Sequence, residues 1–148
     1  MSDNSVSGDM VGDSKAVALR AMESLDRRDM DGVLAETTPD CTWLGFGPEP
    51  LDRAGYIEAI GRFLDAFGDS RFPIDAVVAE ADVVAVQHRL VGTHTGEFRG
   101  VAPSGQPVSV PAIAVFRVTD GQVTQVSLHA DLLGLLMQIG AIPAPSPN

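Results

Sequence analysis

Only one cysteine occurs in the 148 residues, Cys41, so no intrachain disulfide can form. Basic side chains are also scarce. Ten Lys and Arg stand against 20 Asp and Glu, a formal net charge of -10 at pH 7. Nucleic acid is bound by cations that neutralise phosphates, and anionic lipid attracts the same cations. Binding to nucleic acid or to a membrane surface is therefore not expected. No apolar run reaches the length of about 18 residues that a spanning helix needs. The polar, acidic stretch from Met1 to Asp13 lacks the basic and apolar blocks of a secretory leader, so a cytoplasmic location is the expectation. P-loop, dinucleotide-fingerprint, CxxC and GxSxG patterns are all missing. His88, His94 and His129 show neither HxH nor HExxH spacing, and no metal or other cofactor is expected. Aromatics make up only 5% of the chain, so a ligand wall has few rings to draw on. The candidates are Trp43, Phe46, Tyr56 and Phe63.

What is present reads as helices followed by strands. Residues 1–13 read as a disordered tail and 143–148 as a second one. Ser14 is a suitable N-cap for a helix carrying Val17, Leu19, Met22 and Leu25. A short helix spans 30–36, and a short β-prone segment spans 41–46. Asp52 caps a third helix over 53–67, whose Ile57, Ile60, Phe63, Leu64 and Phe67 form an i, i+3, i+4, i+7 stripe. Strands are expected over 71–79, 83–95, 106–119 and 122–130. Asp120-Gly121 is a two-residue hairpin signal. An apolar segment at 132–139 follows, stopped by Gly140. Helices first and antiparallel strands after make a single α+β domain over 14–142. A long curved sheet wrapped over helices leaves a conical cavity, a natural small-molecule site.

Strand alternation puts Ser127, His129 and Asp131 on one face of the last strand, and Val126, Leu128 and Ala130 on the other. His88 and His94 share a parity on the 83–95 strand, and the pattern leaves open which of its faces meets the cavity. Trp43 is the candidate for stacking on a planar ligand, and Tyr56 offers a hydroxyl.

The segments Gly92-Thr93-His94-Thr95-Gly96-Glu97-Phe98, Pro103-Ser104-Gly105, Arg117 ahead of Asp120-Gly121, and Asp131 followed by Leu135-Leu136-Met137-Gln138-Ile139-Gly140 carry a resemblance. Over about residues 14–142 the chain resembles the SnoaL-like polyketide cyclases of the nuclear transport factor two-like superfamily, which also contains ketosteroid isomerase. The resemblance implies a cone-shaped α+β barrel, dimeric through the outer face of its sheet. It also implies aldol-type closure of a polyketide ring without metal or organic cofactor. An Asp at the position of Asp131 would be the general acid/base, as ketosteroid isomerase uses a carboxylate base on this superfamily fold. If the last strand turns its polar face to the cavity, His129 assists Asp131 and Ser127 is a substrate contact, and His88 is one if its own face of the 83–95 strand lines the cavity. A structural cap on the segment from Leu132 is the competing role for Asp131. Ser127 stands where the family commonly has Trp, which changes an aromatic wall of the pocket. Epoxide hydrolysis, cofactor-free hydroxylation and non-catalytic ligand binding or dimerisation are the alternatives on the same fold.

Overall fold

The computed structural model describes residues 3–143, with side chains from Gly12 onward. The order is α1 (Asp3–Asp26), α2 (Met30–Ala35), β1 (Thr37–Leu44), α3 (Arg53–Ala66), β2 (Ile74–Glu80), β3 (Val83–Thr93), β4 (Pro107–Thr119), β5 (Gln122–Ala130) and α4 (Leu132–Gln138).

Local chemistry accounts for most of these bounds. The Asp52 carboxylate accepts the Gly55 N–H at 2.8 Å and starts α3. Phe67 leaves helical geometry and ends it. Asp120 and Gly121, at φ 52° and 79°, make the tight β4–β5 turn that this pair favours. One expectation gives way at the N-terminus. The first helix begins at Asp3, and Ser14 lies inside it, 5% exposed, instead of capping it. Propagating a helix costs far less than nucleating one, so the packed turns around Val17 and Met22 extend into the polar stretch before them. Residues 1–2 and 144–148, both read as tail, lie outside the described residues.

The five strands form one sheet in the order β1-β5-β4-β3-β2. β2, β3, β4 and β5 pair antiparallel, but β1 runs parallel to β5, so the sheet is mixed and not wholly antiparallel. That pairing joins the first strand of the chain to the last. The loop after α2 delivers β1 beside the last strand, and Arg53 fixes the junction. Its guanidinium donates to the carbonyls of Leu34, Thr37 and Thr38 at 2.8–3.2 Å.

Alternation along β4 is strict. Val108, Val110, Ala112, Ala114, Phe116 and Val118 are buried, and the residues between them face outward. The inward face of this curved sheet packs on α1 and α3 through Ala18, Met22, Tyr56, Ile60 and Phe67. α4 closes one end and is tied to β4 by two bonds. Gln138 accepts the Ser109 N–H at 2.8 Å and donates to the Ser109 carbonyl at 3.0 Å.

Candidate functional site

Two features of β3, β4 and β5 leave space inside the cone. The first is the parity of each strand, which aims Val86, His88 and Leu90, then Ala112 and Ala114, then Val126 and Leu128, at the helices. The second is size. Ala112 and Ala114 stand between Val110 and Phe116, so the centre of the inward face is hollow.

The hollow holds two adjoining chambers whose walls share Phe46, Ile60 and Leu128. The inner chamber holds about 60 Å³. Its wall is apolar except for Thr37, Trp43, Tyr56 and His88. The outer chamber, about 720 Å³, opens at a charged rim made by Arg62, Asp65, Glu97, Arg99 and Asp131. An apolar inner end and a polar mouth suit an elongated apolar molecule with a polar end.

The inner aromatics hold one another. Trp43 on β1 and Tyr56 on α3 stack with centroids 4.5 Å apart and planes 8° apart. Phe46 meets Tyr56 edge-on at 5.5 Å. Phe63 lines the outer chamber and stacks on Phe67. Burial pushes the Tyr56 hydroxyl up, with the nearby Cys41 adding to it, so the phenol keeps its proton at neutral pH. Burial likewise pushes the Cys41 thiol up to about 12, which removes it from thiolate chemistry.

His88 sits on the central part of β3, 3% exposed. Its Nδ1 lies 3.1 Å from the Val86 carbonyl oxygen, which can only accept. Nδ1 therefore carries the hydrogen, and Nε2 keeps its lone pair. Desolvation holds the His88 pKa below the usual 6.5, so the ring is neutral at neutral pH. The sign of the stability effect follows. As pH falls through 6.5, an unfolded His88 takes a proton before the folded one does, and folding stability declines with falling pH. Urea unfolding at about pH 7 and about pH 5.5 measures that decline. It is expected to be smaller in His88→Gln than in wild type, and equal declines would contradict a buried neutral ring.

The polar face of β5 is not where the sequence put it. Val126, Leu128 and Ala130 face the cavity, while Ser127 and His129 lie on the outer side of the sheet. Ser127 is half-buried opposite Val115, and His129 is exposed opposite Ile113. The two faces were legible, but their orientation was reversed. Covering Val126 and Leu128 outweighs burying two polar side chains that would need partners. A register shift at Arg117 and Val118 adds a residue in β5 and helps set this parity. His129 therefore cannot assist Asp131 from within the cavity.

Asp131 follows the end of β5, where the chain turns into α4. Its Oδ1 accepts the Gly134 N–H at 2.8 Å, so it caps that helix. It is also exposed and part of the rim of the outer chamber. The cap and the rim position hold together, because the bond to Gly134 engages one carboxylate oxygen and fixes the group at the mouth.

His94 lies outside the lining of either chamber. It is fully buried, tilted against Phe67 at 5.4 Å, and its Nδ1 accepts the Ser104 N–H at 3.1 Å. It braces the connection between β3 and β4. Among the described residues, no group of three or more His, Cys, Asp or Glu side chains is placed to hold a metal ion. No described helix is long and apolar enough to cross a membrane.

Sequence reasoning passed over Ala112, Ala114 and the rim charges Arg62 and Asp65, while Glu97 and Arg99 were legible as a rim. The two alanines did leave a signal, as small residues in an otherwise bulky inward row. Arg62 and Asp65 left none, because the rim they join is completed by residues far away in sequence.

Comparison with known proteins agrees with this geometry. The chain belongs to the SnoaL-like polyketide cyclase family, whose model matches residues 16–139. Among solved structures it is similar to AclR, a candidate hydroxylase from Streptomyces galilaeus. The identity is 28% and the TM-score 0.84, over 92% of this chain and 86% of that one. A candidate SnoaL-like polyketide cyclase from Jannaschia sp. CCS1 is 28% identical, with TM-score 0.83 over 90% and 96%. IdmH, a candidate polyketide cyclase from Streptomyces antibioticus, is 25% identical, with TM-score 0.77 over 86% and 98%. No match is found among curated proteins.

Proposed function

We propose that the protein is a cofactor-independent cyclase or isomerase of secondary metabolism that acts on an apolar carbonyl compound of the polyketide kind, with Asp131 as acid/base. The observation that carries this reading is a pair of adjoining chambers, the inner one largely apolar and the outer one bearing a fixed carboxylate at its mouth. Family membership supports the same reaction class.

The chemistry is isomeric and balances within the substrate. The free oxygen of Asp131 takes a proton from the carbon next to a carbonyl, and the electron pair moves to the carbonyl oxygen. The resulting enolate carbon attacks a second carbonyl, forming the ring bond. The proton on Asp131 then passes to the new alkoxide. A bound apolar molecule displaces water from the rim around the carboxylate. Holding both carbons in one cavity supplies much of the rate gain.

Carbon acid chemistry is tested with 1-tetralone in heavy water. The wild type is expected to accelerate deuterium entry at the α-carbon, and Asp131→Asn to lose roughly 10²–10⁴-fold of that acceleration. Exchange that the substitution leaves unchanged would remove Asp131 from the chemistry.

The likeness to AclR supports a second reading, hydroxylation in the same cavity. Product mass separates the two, because a hydroxylated product gains an oxygen atom and a cyclised one does not. A homodimer through the outer face of the sheet accompanies either reading. Val78 and Ile113 stand 68% and 41% exposed on that face, which supports association there.

A further inference from the structure

We propose that the inner chamber is a recognition site for a substrate hydroxyl, enolic or phenolic, which donates a hydrogen bond to His88 Nε2. The inference rests on the cavity reading above and narrows it. It names the group that the buried end of the substrate must carry.

The Val86 carbonyl takes the Nδ1 hydrogen, so Nε2 can only accept. No hydrogen-bond partner for Nε2 occurs among the described residues, although the ring is 3% exposed and lines the chamber. Nε2 is not among the fully enclosed unpartnered atoms, so it opens on the chamber, where an acceptor in largely apolar surroundings gains from any donor that reaches it. Burial lowers the pKa of the ring, so the acceptor persists at neutral pH.

The neighbours leave the position open for a ligand. Tyr56 is the other titratable group on the chamber wall, and it is held in a stack against Trp43. The charged group that bears on the ring is Asp75. Thr37 is committed elsewhere, donating to the Leu34 carbonyl at 2.8 Å. Nothing else polar lines the inner chamber, so an apolar molecule lacking a donor leaves His88 unsatisfied.

Register places this acceptor relative to the mouth. His88 pairs with Ala112, and Ala112 pairs with Ala130, the residue before Asp131. That row spans two strand spacings, roughly 10 Å. A fused two- or three-ring molecule bridges such a gap, with its hydroxyl on His88 and its reacting carbons toward Asp131.

The test compares 2-naphthol with 2-fluoronaphthalene, which is similar in shape but has no donor. Calorimetric titration of the wild type is expected to show at least ten-fold tighter binding of 2-naphthol. His88→Phe, which fills the same space without an acceptor, is expected to bring the two affinities within about two-fold of each other. Nitrogen NMR of the wild type gives a second readout that needs no variant. The Nε2 resonance is expected to be of the unprotonated type and to move on addition of 2-naphthol but not of 2-fluoronaphthalene. Equal affinities in the wild type, a preference that survives His88→Phe, or a protonated Nε2 would overturn the proposal. The ligand preference is read without turnover, so its failure is distinct from a failure of the acid/base reading.

Discussion

Gly45→Ala is expected to destabilise the protein by about 3–5 kcal/mol, a large part of the 5–15 kcal/mol typical of a domain. Gly45 ends β1 at φ +91°, a conformation that strains any residue with a Cβ. A Cβ built there lies 1.9 Å from the Leu128 carbonyl oxygen on β5. Two penalties therefore add, roughly 1–3 kcal/mol of backbone strain and a similar amount for overpacking. The only relief is to move β1 away from β5. That disrupts the pairing of Trp43 with Val126 and of Leu44 with Ser127. Urea unfolding measures the loss, and Gly47→Ala is the control, since nothing lies within 4 Å of its Cβ position. Equal midpoints for the two variants would show that β1 does not depend on this close approach. The effect reaches function as well, because β1 carries Trp43 into the inner chamber.

The second large effect concerns activity with little cost in folding. Leu128 is half-buried and belongs to the walls of both chambers, so it stands at their junction. Leu128→Trp is expected to close that junction and lower turnover of any substrate that enters the inner chamber by about 10²-fold or more. Small displacements of a reacting group already cost that much. Stability is expected to change by less than about 1.5 kcal/mol, because the larger ring has an empty volume to enter. Thermal unfolding beside kinetics separates the two effects. Unchanged turnover would mean that the inner chamber takes no part in binding.

How far the sequence carries is best seen on particular elements. The third helix was legible from Asp52 and its apolar stripe, and β5 from the Asp120-Gly121 turn, because those signals are local. The parallel β1–β5 pair was not, since nothing in residues 37–44 records which strand they meet 80 or so positions later. The start of α1 escaped because helix propagation overrides a good capping residue. On β5 the alternation of Ser127 and His129 with Val126 and Leu128 was clear. Period alone cannot say which set faces in, and an expectation about the cavity wall reversed it. His88 was a named pocket candidate, but its role needed the Val86 carbonyl, a contact set by local side-chain geometry on β3. The rim was legible only in part, at Glu97, Arg99 and Asp131, because it is assembled from α3, the 97–100 loop and the end of β5.

The central claim is that this cavity performs acid/base chemistry on a bound carbonyl compound and does not merely store it. The most direct measurement is to incubate a linear, aryl-terminated poly-β-keto ester with the wild type and follow it by chromatography with mass detection. The account predicts a ring-closed product of unchanged mass, or of that mass less one water, formed faster than in buffer. It also predicts that Asp131→Asn largely abolishes the product while leaving binding intact. A compound that binds, perturbs the single tryptophan, Trp43, and is recovered unchanged would contradict the account and make the protein a carrier.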